Sequence, residues 1–426
     1  MPGHKGKGAL GVEALDITEI QGADVLYSPD GIIAESEENA TTLFGTAHTF
    51  YSTEGSTLAI KAMLRLATRD TARGERALIL AGRNAHKAFI HAAALLDLDV
   101  EWLWGDGDGH LCECRITPEG LDRVLREMKK LPEAVYITSP DYLGNIPDIA
   151  GICRVADKYD IPVLVDNAHG AYLKFLKPSA HPIDLGAAMC SDSAHKTLPV
   201  LTGGAYLHIA KRAQALVPAA RSALSLFAST SPSYLTLQSL DLANARLADG
   251  YAEELASTVE AANAIKRELS LLGFVPESTE PLKIVIRASK YGYTGEELAN
   301  KLRSYAIECE FSDRDYLVLM LSSESKDCEE LSLLLRAISE LSVRDRAAIA
   351  TPKIPRGERK MTVREAMLGK SEVVGLDNAR GRILAAPTVS CPPAVPVATS
   401  GELLGEEAIL ALSYYGIDRV EVIAED

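Results

Sequence analysis

Two short polar segments of the chain contain residue types that could perform chemistry. The first covers residues 163–170 (VLVDNAHG) and the second covers residues 193–197 (SAHKT). Asp166 ends an apolar run typical of a buried strand, where an unpaired carboxylate is costly to desolvate, so we expect it to face a cation. Lys196 also follows a predicted strand, and a lysine in a partly apolar site can lose its proton and condense with an aldehyde. The cofactor pyridoxal 5'-phosphate (PLP) requires two such residues of a protein: an aspartate that pairs with its pyridinium nitrogen and a lysine that condenses with its aldehyde.

Each of these two residues, taken alone, has an ordinary structural explanation. An isolated aspartate at a strand end is more often a helix cap or a turn acid. An isolated lysine is nearly always a solvated surface amine. The order of the two, each directly after a predicted strand, favours a functional pair.

Two weaker candidate sites precede this pair. Gly55, Ser56 and Thr57 open a predicted helix, where backbone amides and hydroxyl groups could bind a phosphate. An ordinary helix N-cap would have the same composition. His86 follows the predicted strand that ends near Ala81, and its imidazole could stack on a planar ring. The alternative is a histidine that merely starts a helix.

Alternating helices and strands would position these residues, from about residue 56 to residue 210. Helical patterns cover 56–68, 85–96, 118–130 and 148–159, and strand patterns cover 77–81, 100–104, 134–138, 161–166, 185–191 and 204–209. Such alternation predicts an α/β fold with a mostly parallel central sheet flanked by helices. Ligands of such sheets bind at the carboxyl ends of the strands.

The sequence pattern after about residue 240 predicts additional domains. Residues 240–271 read as one long helix, and residues 272–345 alternate again, as in a smaller α+β unit. We therefore predict a large cofactor domain over 1–260, a small α+β domain over 261–348 and a C-terminal appendage over 349–426.

Composition limits the classes of function. The 426 residues include 44 Lys+Arg and 59 Asp+Glu, for a net charge of −15. Nucleic acids and anionic membranes require clustered positive charge, so neither is an expected partner. No apolar run approaches the roughly 20 residues of a transmembrane helix. Seven scattered cysteines predict neither a disulfide framework nor a metal site. We expect a cytoplasmic protein.

Taken in order, the motifs resemble those of the bacterial Orn/Lys/Arg decarboxylases, PLP enzymes of the aspartate-aminotransferase fold (fold type I). The resemblance extends over essentially the whole chain. It is carried by Pro2-Gly-His-Lys-Gly6, Asp16-Ile-Thr-Glu19, Ser139-Pro-Asp-Tyr142 with Gly144, Asp166-Asn-Ala-His-Gly170, Ser193-Ala-His-Lys-Thr-Leu-Pro199 and Cys391-Pro-Pro-Ala-Val-Pro396.

The resemblance implies a role for each matching residue. Lys196 would bind the aldehyde of PLP covalently, Asp166 would keep the ring nitrogen protonated, and His86 would lie over the ring face. His169 would sit near the phenolic oxygen of the ring. The residues implied for the phosphate group are Ser56, Thr57, Ser193 and His195.

The implied reaction is decarboxylation of a basic amino acid, arginine, lysine or ornithine, to agmatine, cadaverine or putrescine, by a homodimer. Two alternatives remain open: another fold-type-I PLP activity such as an aminotransferase, lyase or aldolase, or a non-catalytic PLP-binding regulatory relative. Asn167, Asp141 and Ala394 depart from the family's usual Glu, Thr and Gly. We expect the first two to lie near the site and to affect substrate choice or activity. Relatives carry the Pro-Gly-His-Lys motif further from their N-terminus. We therefore expect either a misassigned start or a short form with weaker dimer packing.

Overall fold

The computed structural model describes residues 1–105, 109–325, 328–344, 350–387, 389 and 392–425. Cys391, in the last family motif, and the predicted domain boundary at 348 lie outside these residues. Within them, no helix combines the length and the apolar character needed to cross a membrane.

The chain forms two compact units. The first unit comprises residues 1–81, 117–139 and 148–253, and the second comprises residues 82–116, 140–147 and 254–426. The division of the chain into three parts at residues 260 and 348 stays a prediction.

A large sheet is built, in the described part of the chain, from seven strands in the order β1-β7-β6-β5-β4-β2-β3. These strands are β1 (His48–Ser52), β2 (Leu78–Gly82), β3 (Asp99–Leu103), β4 (Ala134–Thr138), β5 (Val163–Asp166), β6 (Met189–Asp192) and β7 (Ala205–Ile209). β2, β4, β5 and β6 pair in parallel, whereas β7 pairs antiparallel with both β6 and β1. Every residue of β5 and β6 is buried, as expected of a sheet covered on both faces. The predicted α/β class with a mostly parallel sheet is confirmed.

Helices alternate with these strands. The α-helices are α1 (Ile32–Phe44), α2 (Gly55–Ala67), α3 (Lys87–Leu96), α4 (Pro118–Glu127), α5 (Ile149–Asp157), α6 (Ala194–Thr197), α7 (Val217–Ser225), α8 (Tyr234–Ala248), α9 (Tyr251–Leu271), α10 (Gly295–Arg303), α11 (Cys328–Ser339), α12 (Val363–Leu368) and α13 (Glu406–Tyr414). The prediction of one helix over 240–271 is wrong, because α8 ends before Asp249 and α9 begins after Gly250. Gly250 has a φ of +76°, a left-handed conformation that ends a right-handed helix.

Two small sheets are formed by described residues of the second unit. The first has the order β8-β10-β9, from β8 (Lys283–Arg287), β9 (Phe311–Ser312) and β10 (Tyr316–Met320), and the second has the order β11-β13-β12, from β11 (Ser371–Gly375), β12 (Leu384–Ala386) and β13 (Arg419–Ile423). Ile284, Ile286 and Leu317 pack in one core with Leu298 and Leu302 of α10. These layers agree with the predicted small α+β domains.

Candidate active site

Asp166 and Lys196 lie at the carboxyl ends of neighbouring parallel strands in the first unit. Asp166 is the last residue of β5, and Lys196 lies on α6, the four-residue helix that follows β6. Nζ of Lys196 is 2.9 Å from Nε2 of His169. Three residues from the two polar segments of the sequence therefore occupy one edge of the sheet, where parallel sheets bind ligands.

The carboxylate of Asp166 is buried, with 2% of the residue exposed. The hydroxyl of Tyr136 donates a hydrogen bond to Oδ2 at 3.1 Å, and the amide of Ala168 donates to Oδ1 at 3.3 Å. Burial raises the pKa of this carboxyl, while the positive charge of Lys196 and the Tyr136 hydrogen bond act in the opposite direction. An added cation would stabilise the ionised carboxylate, as the N–H of a pyridinium ring does.

Unused hydrogen-bonding groups flank Asp166 on the adjacent strands. The sheet register places Thr138 of β4 on one side of Asp166 and Ser191 of β6 on the other, so the three side chains share a face. Among the described residues, the hydroxyls of Thr138 and Ser191 and Oδ1 of Asn167 are buried without a hydrogen-bond partner. Because buried polar atoms are usually paired, this edge fits a polar ligand.

The start of α2, which we call the cradle, presents groups that could bind an anion. The helix begins at Gly55, and its N-cap residue, Glu54, provides no side-chain cap. The first amides of a helix lack partners within the helix and carry partial positive charge. Ser56 and Thr57 are half-buried there, and the hydroxyl of Ser193 donates to Oγ of Ser56 at 2.8 Å. Two segments that are distant in the sequence thus bring hydroxyl groups and helix amides together.

A turn that contains Gly203 packs against this cradle. The amide of Gly55 donates to the carbonyl of Gly203 at 2.7 Å. Gly203 has a φ of +95°, and a Cβ atom there would lie 2.5 Å from the carbonyl oxygen of Thr53. A residue with a side chain would therefore push the turn away from the start of α2. Gly203 is not among the residues predicted from the sequence, although the Gly-Gly pair at 203–204 is a turn signal that points to it.

His195 is half-buried beside the same turn. Its Nδ1–H donates to the carbonyl of Gly204 at 3.0 Å, and its amide donates to that oxygen at 3.1 Å. Burial lowers the pKa of the imidazole, and the charge of Lys196 acts in the same direction. An added anion would favour the protonated imidazole, in which Nε2 becomes a donor.

His86 belongs to the second unit, unlike the other predicted site residues. It is the N-cap of α3, where its Nδ1 accepts a hydrogen bond from the amide of Ala88 at 3.1 Å. The helix-start role weighed in the sequence analysis is therefore real. The stacking of His86 on a ring stays a prediction.

Asn167 connects the site to a residue that the sequence analysis did not identify. Its side-chain amide donates to Oδ1 of Asp192 at 2.7 Å, and both residues are fully buried. Asn167 lies between Asp166 and the His169 that contacts Lys196. The family departure at position 167 is therefore part of the loop that follows β5.

Comparisons with known proteins identify the family. The model of the Orn/Lys/Arg decarboxylase major domain matches residues 10–275, and that of the C-terminal domain matches residues 346–419. The chain belongs to the Orn/Lys/Arg decarboxylase family. It is 31% identical to the arginine decarboxylase of Bacillus subtilis (strain 168) over 449 residues, covering 96% of this chain and 88% of the relative. It is 30% identical to the arginine decarboxylase of Bacillus anthracis over 442 residues, covering 96% and 87%.

Solved structures show the same fold. Lysine decarboxylase A from Pseudomonas aeruginosa matches with a TM-score of 0.81 at 17% identity, covering 100% of this chain and 78% of that chain. The predicted fold type I of PLP enzymes is confirmed, and so is the prediction of an Orn/Lys/Arg decarboxylase. The protein is an amino acid decarboxylase, a carboxy-lyase, as this family is.

Two departures from the family pattern have a local structural account. Ala394 has a φ of +55°, a region that favours glycine, which is the usual family residue at this position. Its carbonyl accepts a hydrogen bond from the amide of Lys87 at 2.8 Å. The carboxylate of Asp141 accepts hydrogen bonds from the amide and Nδ2 of Asn145 at 2.9 and 2.8 Å. An effect of Asp141 on substrate choice stays a prediction.

Proposed function

We propose that this decarboxylase binds PLP and removes the α-carboxyl group of a basic amino acid. The observation that carries the proposal is the pair formed by Asp166 and Lys196 at adjoining strand ends, with Nζ of Lys196 2.9 Å from Nε2 of His169. Bound PLP supplies an electron sink for the negative charge left on the α-carbon when carbon dioxide departs. The chain's own residues orient the reacting groups and hold their protons.

Lys196, His169 and Asp166 have distinct roles in this proposal. Lys196 would hold the cofactor through the cofactor's aldehyde carbon. Nε2 of His169 accepts a hydrogen bond from Nζ of Lys196, which orients the amine and offers a position for its proton. Asp166 keeps a proton on the ring nitrogen, because its buried carboxylate is stabilised by a cationic partner.

The phosphate group has a separate set of proposed contacts. The proposed contacts are the amides at the start of α2 and the hydroxyls of Ser56, Thr57 and Ser193, of which those of Ser56 and Ser193 lie 2.8 Å apart, and Gly55 would let the backbone approach. A protonated His195 adds a donor. His86 is proposed to cover the ring face. These contacts would hold the cofactor in one orientation relative to the substrate.

The substrate is proposed to be arginine, lysine or ornithine, acted on by a homodimer. The relatives from Bacillus subtilis and Bacillus anthracis described above are arginine decarboxylases, which makes arginine the first substrate to test. The resemblance to lysine decarboxylases at 17% identity concerns the fold. The alternatives are tested by the products, since an aminotransferase would leave pyridoxamine phosphate and a keto acid.

Covalent attachment at Lys196 tests the cofactor proposal. The purified protein, incubated with PLP, should show a visible absorption band that borohydride removes, and peptide mapping should then find the reduced cofactor on Lys196. Lys196→Ala should lack the band, whereas Lys211→Ala, which removes an exposed lysine, should keep it. A colourless wild-type protein, or label on another lysine, would contradict the proposal.

A further inference from the structure

A second cluster of polar side chains lies inside the first unit and has no role in the proposed reaction. It consists of His181, Cys190, Asp192 and His208, each 0% exposed. One nitrogen, sulfur or oxygen atom from each residue lies within 4.8 Å of those of the others. Burying an imidazole pair, a thiol and a carboxylate together is costly unless they are paired or bind a metal ion.

The sheet brings these residues together. Cys190 and Asp192 are two residues apart on β6, so their side chains point to the same face. The antiparallel register of β7 places His208 directly beside Cys190. His181 comes from the loop that precedes β6. Only His181 therefore depends on a loop, and the other three positions are set by strand pairing.

Three of the separations between ligand atoms are close to those of a tetrahedral zinc site. Oδ2 of Asp192 lies 3.0 Å from Nε2 of His181 and 3.1 Å from Nε2 of His208. Sγ of Cys190 lies 3.8 Å from Nε2 of His181. Zinc bonds of about 2.0–2.1 Å to nitrogen and oxygen and about 2.3 Å to sulfur give tetrahedral ligand separations of about 3.3 Å and about 3.6 Å. The observed distances differ from these by a few tenths of an ångström.

The surrounding contacts orient the ligand atoms. Nδ1 of His208 lies 2.9 Å from Oγ1 of Thr49, which leaves Nε2 for a metal. The amide of Asn167 holds Oδ1 of Asp192 at 2.7 Å, which leaves Oδ2. The ring of Phe44 lies 4.4 Å from one imidazole and 5.5 Å from the other, between centroids, and shields them from water. Outer contacts of this kind fix the orientation of ligands in metal sites.

We propose that His181, Cys190, Asp192 and His208 bind one Zn²⁺ ion as a structural site next to Asn167, in the loop that follows β5. Two neutral imidazoles, a carboxylate and a thiolate carry two negative charges, which a divalent cation balances. Binding releases the thiol proton of Cys190. The competing arrangement is a metal-free triad in which both histidine Nε2–H groups donate to Oδ2 of Asp192, while the thiol of Cys190 donates to Oδ1 at 3.7 Å. That arrangement needs no thiolate.

Metal content distinguishes the two arrangements. We would express the full chain without a histidine tag in zinc-supplemented medium, because a buried site is loaded as the chain folds, and measure zinc by mass spectrometry. About one zinc per chain is expected in the wild type, with at least a roughly tenfold loss in Cys190→Ala/Asp192→Ala. Cys153→Ser, which alters a buried thiol outside the cluster, should keep its zinc.

A second measurement does not depend on whether the variants fold. Protein expressed with cobalt in place of zinc should show the intense visible bands of tetrahedral cobalt and a thiolate-to-cobalt absorption. Zinc below roughly a tenth per chain in folded wild-type protein, or cobalt without the thiolate band, would overturn the proposal in favour of the metal-free triad. Lys196→Ala should keep its zinc, so this result is independent of the PLP proposal.

Discussion

Replacing Asp166 with asparagine is expected to raise the stability of the cofactor-free protein while lowering its activity. Burial raises the pKa of the Asp166 carboxyl, so the folded protein binds this proton more tightly than the unfolded chain. The free energy of unfolding therefore falls as pH rises above the ordinary aspartate range. Asparagine has nearly the same shape and does not ionise, so Asp166→Asn should avoid this loss at neutral pH.

The effect on activity should be large and opposite in sign. Removing one partner from a buried charge pair typically costs about 3–5 kcal/mol. At about 1.4 kcal/mol per factor of ten, the expected fall in kcat/KM is roughly 10²- to 10⁴-fold. If Asp166→Asn raises the stability of the protein and lowers its activity, then Asp166 is retained for function and not for stability.

Two measurements compare the variant with the wild type. Urea unfolding of the PLP-free proteins at two pH values gives the stability, and initial rates at saturating PLP give the activity. Asp184→Asn is the matched control, because Lys174 lies 2.7 Å from the Asp184 carboxylate. Burial acts to raise the pKa of Asp184, but the hydrogen bonds from Lys174 and Ser179 prevail and lower it. This variant should lose stability at neutral pH and keep its activity. An Asp166→Asn protein that is less stable than the wild type at neutral pH, or fully active, would refute the reasoning.

Three further predictions concern the second unit, the turn at Gly203 and the cradle. Burial raises the pKa of Asp141 from its ordinary 3.8 to about 6, so wild-type stability should fall relative to Asp141→Asn by about 2 kcal/mol between about pH 4 and about pH 7 in urea denaturation. Gly203→Ala should lose about 2 kcal/mol or more and bind PLP weakly, because its Cβ would lie 2.5 Å from the Thr53 oxygen. Gly250→Ala, at a φ of +76° in open space, should lose only about 1 kcal/mol and bind PLP normally. Ser193→Ala should lose about 1 kcal/mol of cofactor affinity, roughly a fivefold rise in Kd by absorbance titration.

Local sequence patterns were sufficient to predict the elements around Asp166 and Lys196. Asp166 ends one short apolar strand and Lys196 follows another, and parallel strands bring their carboxyl ends to one edge, so order along the chain implies proximity. The strand predicted at 134–138 matches β4 residue for residue. The resemblance of the motifs then indicated the family, which hydrophobic periodicity alone does not identify.

Contacts between distant segments were not predictable from the sequence. Tyr136 lies within an apolar strand, and only the pairing of β4 with β5 shows that its hydroxyl reaches Asp166. His208 and Cys190 become neighbours through an antiparallel register that no local pattern encodes. Gly250 ends α8 because of its backbone conformation, although the residues on both sides continue a helical pattern.

Release of carbon dioxide is the measurement that tests the central proposal most directly. Purified protein with PLP would be given arginine, lysine or ornithine, each labelled at the α-carboxyl carbon, with Lys196→Ala as the control. The account predicts labelled carbon dioxide and the corresponding amine from at least one of the three, and none from the variant. No release from any of them by wild-type protein that holds PLP on Lys196 would contradict it.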